Sequence, residues 1–196
     1  MKPTRKRYAM LALVAIATAL NYLDRTLMGV AAPAMSRELG LGPEMMGAIF
    51  AAFSWSYALA QVPGGIFLDR FGTRLTYALS LTVWSACTVM QGMVRGGWAL
   101  IAVRLGLGAA EAPCFPANSR VLIAWFPRSE RARANSIYSV GMYFGIAFCS
   151  PLLFWMASHW GWRALFWIVG GMGIAYGLVW HRLYRDPADH AGVNEA

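Results

Sequence analysis

The chain has 196 residues, of which 58% are hydrophobic and 13% charged, with 17 Lys and Arg against 9 Asp and Glu. That charge content is about half the ~25% of a soluble domain, and the mean hydropathy is +0.46. Together these disfavour a soluble enzyme, exclude a disordered chain and point to a membrane protein, because six apolar spans of about 20 residues would use nearly the whole length.

The first predicted span covers 8–35, behind Lys2, Arg5, Lys6 and Arg7. A basic start resembles a signal peptide, but the apolar run continues past the usual ~7 to 15 residues, so it reads as a span. Further spans are predicted over 45–68, 75–94, 96–126, 134–158 and 164–182, with 184–196 as a polar cytoplasmic tail and start of a linker. Residues 1–183 thus form one helical bundle. Continuous apolar runs without alternation argue against a β-barrel.

Eleven Lys or Arg lie at the N-terminus, in the 2–3 and 4–5 loops and in the tail, against three (Arg37, Arg95, Arg163) on the other side. The positive-inside rule then puts both termini in the cytoplasm of a multi-pass inner-membrane protein. The same rule accounts for the basic residues without a nucleic-acid partner. Trp98 and Trp125, and Trp160 with Trp162, fit interfacial anchors, while Trp55 and Trp84 are expected to pack against neighbouring helices. Gly141/Gly145 and Gly173/Gly177 have the spacing of close helix contacts.

Asp24, Arg25, Arg104 and Glu111 fall inside predicted spans. Each such group costs about 2.5–3.5 kcal/mol at the bilayer centre, so they must face the bundle interior. At about 1.5 Å per residue, Asp24 and Arg104 reach similar depth and can pair, with Glu111 about 10 Å deeper. Such a pair can serve only to fix helix register. Glu111 has no basic residue within one turn. A carboxyl able to lose and regain a proton there is what a proton-coupled carrier needs. Arg25 offers a planar fork for a substrate carboxylate, with pairing to Glu111 as the alternative. Tyr22, Tyr57, Gln61 and Asn118 are candidate substrate contacts, and each could equally be an interhelical hydrogen bond.

Between spans two and three, Gly65-Ile66-Phe67-Leu68-Asp69-Arg70-Phe71-Gly72-Thr73-Arg74 resembles the loop signature of the major facilitator superfamily. Gly65 would permit close helix packing, Asp69 would cap or pair across a helix end, and Arg70 and Arg74 are inside-facing charges. The resemblance implies that Gly65, Asp69, Arg70, Gly72 and Arg74 form a gating latch. Asn21-Tyr22-Leu23-Asp24-Arg25, Gln61-Val62-Pro63-Gly64-Gly65, Glu111-Ala112-Pro113, Phe115-Pro116-Ala117-Asn118 and Trp125-Phe126-Pro127 resemble its anion:cation symporter branch, especially bacterial glucarate and galactarate permeases. Asp186-Pro187 and Asp189-His190 in the tail extend the match.

The resemblance implies an all-α fold, the N-terminal six-helix bundle of a twelve-span transporter. It also implies proton-coupled symport of an organic anion such as glucarate, galactarate or galactonate. Arg25 would bind the carboxylate, Asp24 and Glu111 would carry protons, and Arg104 would pair with a carboxylate. The partners implied are the anion, protons, lipid, and a C-terminal six-helix half or a second copy. Met142 stands where the resemblance implies a polar substrate contact in sugar-acid permeases, and an apolar side chain there favours an aromatic or shorter organic acid over a polyhydroxylated one. The alternative is a truncated or accessory half without transport of its own.

An enzyme is not expected. A rhomboid-type protease needs a GxSG turn and a membrane-embedded His base, and His159, His181 and His190 lie in a loop, at a helix end and in the tail. A channel of the aquaporin type would need two NPA half-helices, which are absent. No cofactor is implied either: Cys87, Cys114 and Cys149 stand singly, and neither a Walker loop nor a dinucleotide fingerprint occurs.

Overall fold

A computed structural model describes residues 6–186. They form α1 (Lys6–Leu39), α2 (Pro43–Gln91), α3 (Gly97–Glu111), α4 (Cys114–Trp125) and α5 (Arg131–Leu183), with no strand among the described residues. Four stretches are long and apolar enough to cross a membrane: Lys6–Leu39, Pro43–Gln91, Gly97–Trp125 and Cys149–Leu183.

Two of these helices turn back on themselves at a glycine. Gly72 (φ 76°, ψ 170°) interrupts α2 and Gly161 (φ 77°, ψ 164°) interrupts α5. Glycine adopts positive φ without a Cβ clash, so the chain reverses there in one residue. The arms are 43–71 and 73–91 in α2, and 131–160 and 162–183 in α5. Side-chain placement shows the reversal. A Cβ on Gly108 would lie 2.5 Å from the Phe53 carbonyl, and one on Gly106 would lie 3.5 Å from the Cys87 sulfur. One short stretch of α3 therefore touches both arms of α2. Likewise Tyr138 and Tyr176 pack against the same buried cluster from opposite arms of α5.

The run expected as one span over 96–126 is long and apolar enough to cross as Gly97–Trp125, with a local break between α3 and α4. Pro113 has no amide hydrogen and breaks the ladder, and α4 restarts with the Ala117 N–H donating to the Pro113 carbonyl at 3.0 Å. The Pro113 ring lies against Gly64, where a Cβ would approach it to 3.0 Å. This corrects the role expected of Gly65, where a Cβ would meet nothing within 4 Å. Gly64, one residue earlier, makes the close approach.

Lipid supplies little hydrophobic drive between helices, so contact depends on small residues. Gly170 brings Val89 Cγ2 to 2.6 Å of a notional Cβ, and Gly177 brings Thr82 Oγ1 to 2.7 Å. Gly173 seats Ser85 in the same seam between arms 73–91 and 162–183. The Gly141 and Gly145 contacts lie outside the described residues, as does the Asp189-His190 part of the tail.

The buried apolar side chains form two clusters. One gathers Leu11, Val14 and Ala17 of α1 with Tyr77, Trp84, Val121 and Trp180. The other gathers Leu27, Met28, Ala31 and Met35 with Ile49, Leu100, Leu165 and Phe166. Asn21, Asp24 and Arg25 lie where α1 passes from one to the other.

Ion pairs tie the two ends of the bundle. Arg7 meets Glu130 at 2.8 Å and Arg120 meets Asp69 at 3.0 Å at one end, and Arg163 meets Glu38 at 3.0 Å at the other. One tryptophan departs from expectation. Trp125 and Trp162 are buried among the helices, Trp162 donating to Glu38 Oε2 at 2.6 Å, whereas Trp55, expected to pack against neighbouring helices, points outward at 67% exposure. Trp55, Leu59, Val62 and Ile66 form an exposed apolar stripe along one face of arm 43–71.

Candidate functional site

Helical spacing places Asn21, Asp24 and Arg25 on one face of α1, three and four residues apart. Arg25 reaches across to α3, where its Nε donates to Glu111 Oε1 at 2.8 Å and its Nη2 donates to the same oxygen. Glu111 is fully buried and Arg25 partly so. Four rings surround the guanidinium. Its central carbon lies 4.9 Å from the Tyr57 centroid, 5.2 Å from Phe53, 5.4 Å from Tyr22 and 5.9 Å from Phe115. Tyr22 meets Phe115 edge-on, and Phe53 stacks on Tyr57. Their faces attract the cation, each contact contributing about 0.5–2 kcal/mol, and their edges fix its position.

Asp24 is 6% exposed, and both its oxygens accept from the Thr88 hydroxyl at 2.9 and 2.8 Å. Arg104, also buried, donates from Nε to the Ile49 carbonyl at 3.4 Å and lies 4.9 Å from the Phe53 centroid. A cavity of about 330 Å³ is lined by Asp24, Arg25, Phe50, Phe53, Ser54 and Arg104. Two guanidinium groups and a carboxyl thus face one space large enough for a small organic acid.

The expected Asp24–Arg104 ion pair is not formed. The two share the cavity, as their depths require, but Asp24 turns its oxygens to Thr88, and the ion pair joins Arg25 to Glu111 instead. Rotation about the helix axes decides this, and depth arithmetic does not contain it. The missing basic neighbour of Glu111 is supplied by α1, not by its own helix.

Asn118 does not line the cavity. It accepts from the Tyr77 hydroxyl at 2.7 Å and donates to Thr18 Oγ1 at 3.3 Å, which joins α4 to α2 and α1. Both of its polar atoms are taken up by packing partners. Gln61 lies beside the Tyr57 hydroxyl, one turn along arm 43–71, and is half-buried outside the cavity wall. Met142 is half-buried on arm 131–160, also outside it. Thr88, Phe50, Phe53 and Ser54 are site residues that the sequence reading did not single out. A lone Thr in an apolar run carries no signal, but Phe53, one turn before Tyr57 on the same face, carried one.

At the end of the bundle that holds Arg7, the loop signature takes shape around the Gly72 reversal. Arg120 of α4 pairs with Asp69 and also donates to the Leu68 carbonyl at 3.2 Å. Arg74 donates from Nε and Nη2 to the His181 carbonyl at 2.9 and 2.7 Å, which ties arm 73–91 to the end of α5. Arg70 is exposed, its guanidinium 5.5 Å from the Phe71 ring.

The Major Facilitator Superfamily profile matches residues 14–196. The chain belongs to the major facilitator superfamily. It is 40% identical over 195 residues to the D-galactonate transporter of Escherichia coli O6:H1, covering 100% of this chain and 45% of that protein. It is 40% identical over 200 residues to a probable galactarate/D-glucarate transporter of Escherichia coli K12, covering 99% of this chain and 44% of that one. A probable galactarate/D-glucarate transporter of Bacillus subtilis is 38% identical, with 100% and 44% covered. The chain therefore spans less than half the length of these superfamily relatives.

Among solved structures, a bacterial homolog of the human lysosomal transporter Spinster, in an inward-facing and occupied conformation, superposes with a TM-score of 0.78 at 29% identity. That match covers 95% of this chain and 46% of the other. The chain is thus an all-α, multi-pass membrane protein of the superfamily, and its relatives are transporters, not enzymes.

Proposed function

We propose that this chain forms one half of a proton-coupled symporter for a sugar-acid anion of the inner membrane. The observation that carries the proposal is the Arg25–Glu111 pair at the edge of the cavity. Glu111 occupies with one oxygen the fork that a substrate carboxylate would use. Protonation of Glu111 weakens this grip and frees Arg25 for the incoming anion. Loss of the proton restores the internal pair and expels the substrate. Proton and anion are then obliged to travel together. Asp24, in the same cavity, is a second proton carrier in this proposal, and Arg104 is its countercharge. Tyr22 and Tyr57 hold the guanidinium in place and offer hydroxyls to the substrate.

The names of the superfamily relatives support a sugar acid such as galactonate, galactarate or glucarate. A second six-helix half, facing the cavity, would complete the site and rock against this one. The start of α1, the Gly72 reversal, the loop before α5 and the end of α5 lie at one end of the bundle, held by Arg7 with Glu130 and Arg74 with His181. Their basic residues support a cytoplasmic position for that end.

Uptake of radiolabelled galactonate and galactarate into proteoliposomes carrying the full-length gene product tests this. The expected result is uptake driven by an inward proton gradient. In Glu111→Gln that uptake is lost while exchange of internal for external substrate persists. Unchanged proton-driven uptake in Glu111→Gln would remove Glu111 from the coupling. The same assay on the 196-residue chain alone shows whether this half moves substrate without a second one.

A further inference from the structure

Arg25 takes only one oxygen of Glu111. The other, Oε2, is buried and has no hydrogen-bond partner among the described residues. The Asn21 side chain lies beside the Glu111 carboxyl. Asn21 is 3% exposed, and both its Oδ1 and its Nδ2 are buried without a partner. Three buried polar atoms not satisfied elsewhere therefore lie on two neighbouring side chains in a low-dielectric interior, where leaving them unsatisfied is costly. Their chemistry is complementary. A carboxylate oxygen needs a donor, and the amide has Nδ2. A protonated carboxyl needs an acceptor for its O–H, and the amide has Oδ1.

We infer that Asn21 is the positioning residue for the transported proton, a partner that serves both protonation states of Glu111. With Glu111 ionised, Nδ2 donates to Oε2. When a proton from water admitted during the transport cycle binds Oε2, the new O–H donates to Oδ1, and the amide turns over about its terminal torsion. Oε1 becomes the carbonyl oxygen of a neutral acid and holds Arg25 less strongly. On release the O–H bond breaks, the proton passes to water on the other side of the membrane, and the amide turns back. The amide itself is neither protonated nor deprotonated.

The remaining ionisable neighbours of Glu111 are Arg25 and Asp24 on α1, Tyr57 on α2, Arg104 on α3 and Cys114 on α4. Arg25 is committed to Oε1 and Asp24 to Thr88. Asn21 differs from these in carrying a donor and an acceptor on one planar group, neither of them committed to a residue other than Glu111. The inference rests on the proposed proton coupling through Glu111.

The test is infrared difference spectroscopy of the purified full-length protein between high and low pH. The Glu111 acid band is identified by its disappearance in Glu111→Gln. Asn21→Leu keeps the branched skeleton of Asn, in a somewhat larger volume, without its polar atoms. It is expected to move that band to higher frequency, because a carboxyl that loses its hydrogen bond has a stiffer C=O. Asn21→Ala repeats the measurement should the leucine variant not be recovered folded. Proton-driven uptake should fall about tenfold, the equivalent of one hydrogen bond to the charged state, while substrate exchange stays near wild type. A Glu111 band unmoved in both variants overturns the assignment of Asn21 and leaves the transport proposal intact. Absence of any Glu111 acid band at low pH in the parent protein overturns the coupling proposal and this inference with it.

Discussion

Arg25 carries the most concentrated set of interactions in the molecule. It has an ion pair, two hydrogen bonds to one oxygen and four aromatic neighbours. Each of these depends on a flat, delocalised cation. A lysine keeps the charge but loses the fork and the stacking surface. Arg25→Lys is therefore expected to weaken substrate binding by about 10- to 100-fold, the worth of one or two charge-assisted hydrogen bonds. Protein abundance in the membrane should be unchanged. Isothermal titration of the purified protein with galactarate measures it, and an affinity within twofold of the parent would place the substrate elsewhere. The sequence named Arg25, Glu111, Asp24 and Arg104 as misplaced charges because each is expensive in hydrocarbon, a one-dimensional signal. The Arg25–Glu111 pair was there only as an alternative, beside an Asp24–Arg104 pair that does not form, since which partners meet depends on how α1 and α3 are rotated. Asn118 illustrates the same limit. It continues the stripe of Glu111 by spacing and faces α1 as Glu111 does, but two turns further on the partners there are Thr18 and Tyr77 and not the cavity.

At the scale of elements, the hydropathy runs and the arginines around them made the all-α membrane class legible. The break between α3 and α4 was hidden because an apolar run continues across Pro113. Which glycine packs was hidden too, because Gly64 and Gly65 are equivalent in sequence and differ only in the face they present. The same distinction separates Gly106 from Gly108. At Gly108 a Cβ would lie 2.5 Å from the Phe53 carbonyl and 3.0 Å from the Tyr57 amide nitrogen. Both are backbone atoms of arm 43–71 and cannot swing aside. At Gly106 the nearest atom is the Cys87 sulfur at 3.5 Å, an ordinary contact. Gly108→Ala should destabilise the protein by about 1–3 kcal/mol. It should also weaken substrate binding, because the arm it displaces carries Phe53 and Tyr57 against Arg25. Gly106→Ala should be neutral or slightly stabilising, since alanine is the better helix former. Thermal unfolding in detergent compares the two, and equal behaviour would contradict the packing described here.

Across the whole molecule, the charged contacts divide by burial. The Arg25–Glu111 pair is in the interior, whereas Asp69 and Arg120 are exposed at the bundle end, with side-chain accessibilities of 82% and 44%. An exposed pair contributes about 0–1 kcal/mol to stability, too little to explain why α2 and α4 would need it as a fastener. Its position argues for another use. It sits at the Gly72 reversal, beside an open hollow lined by Gly65, Leu68, Asp69, Pro116, Ser119, Arg120 and Ile123. A weak contact there can be made and broken in each transport cycle without endangering the fold. Asp69→Asn should therefore shift the thermal midpoint by only a few degrees, as a change below about 1 kcal/mol does in a protein of this size. Transport turnover should fall about tenfold, with substrate affinity unchanged. Exchanging the charges, Asp69→Arg together with Arg120→Asp, should recover part of that rate if the pair itself is what cycles. Turnover and midpoint falling in proportion, with no recovery in the exchanged pair, would show that Asp69 only braces the loop.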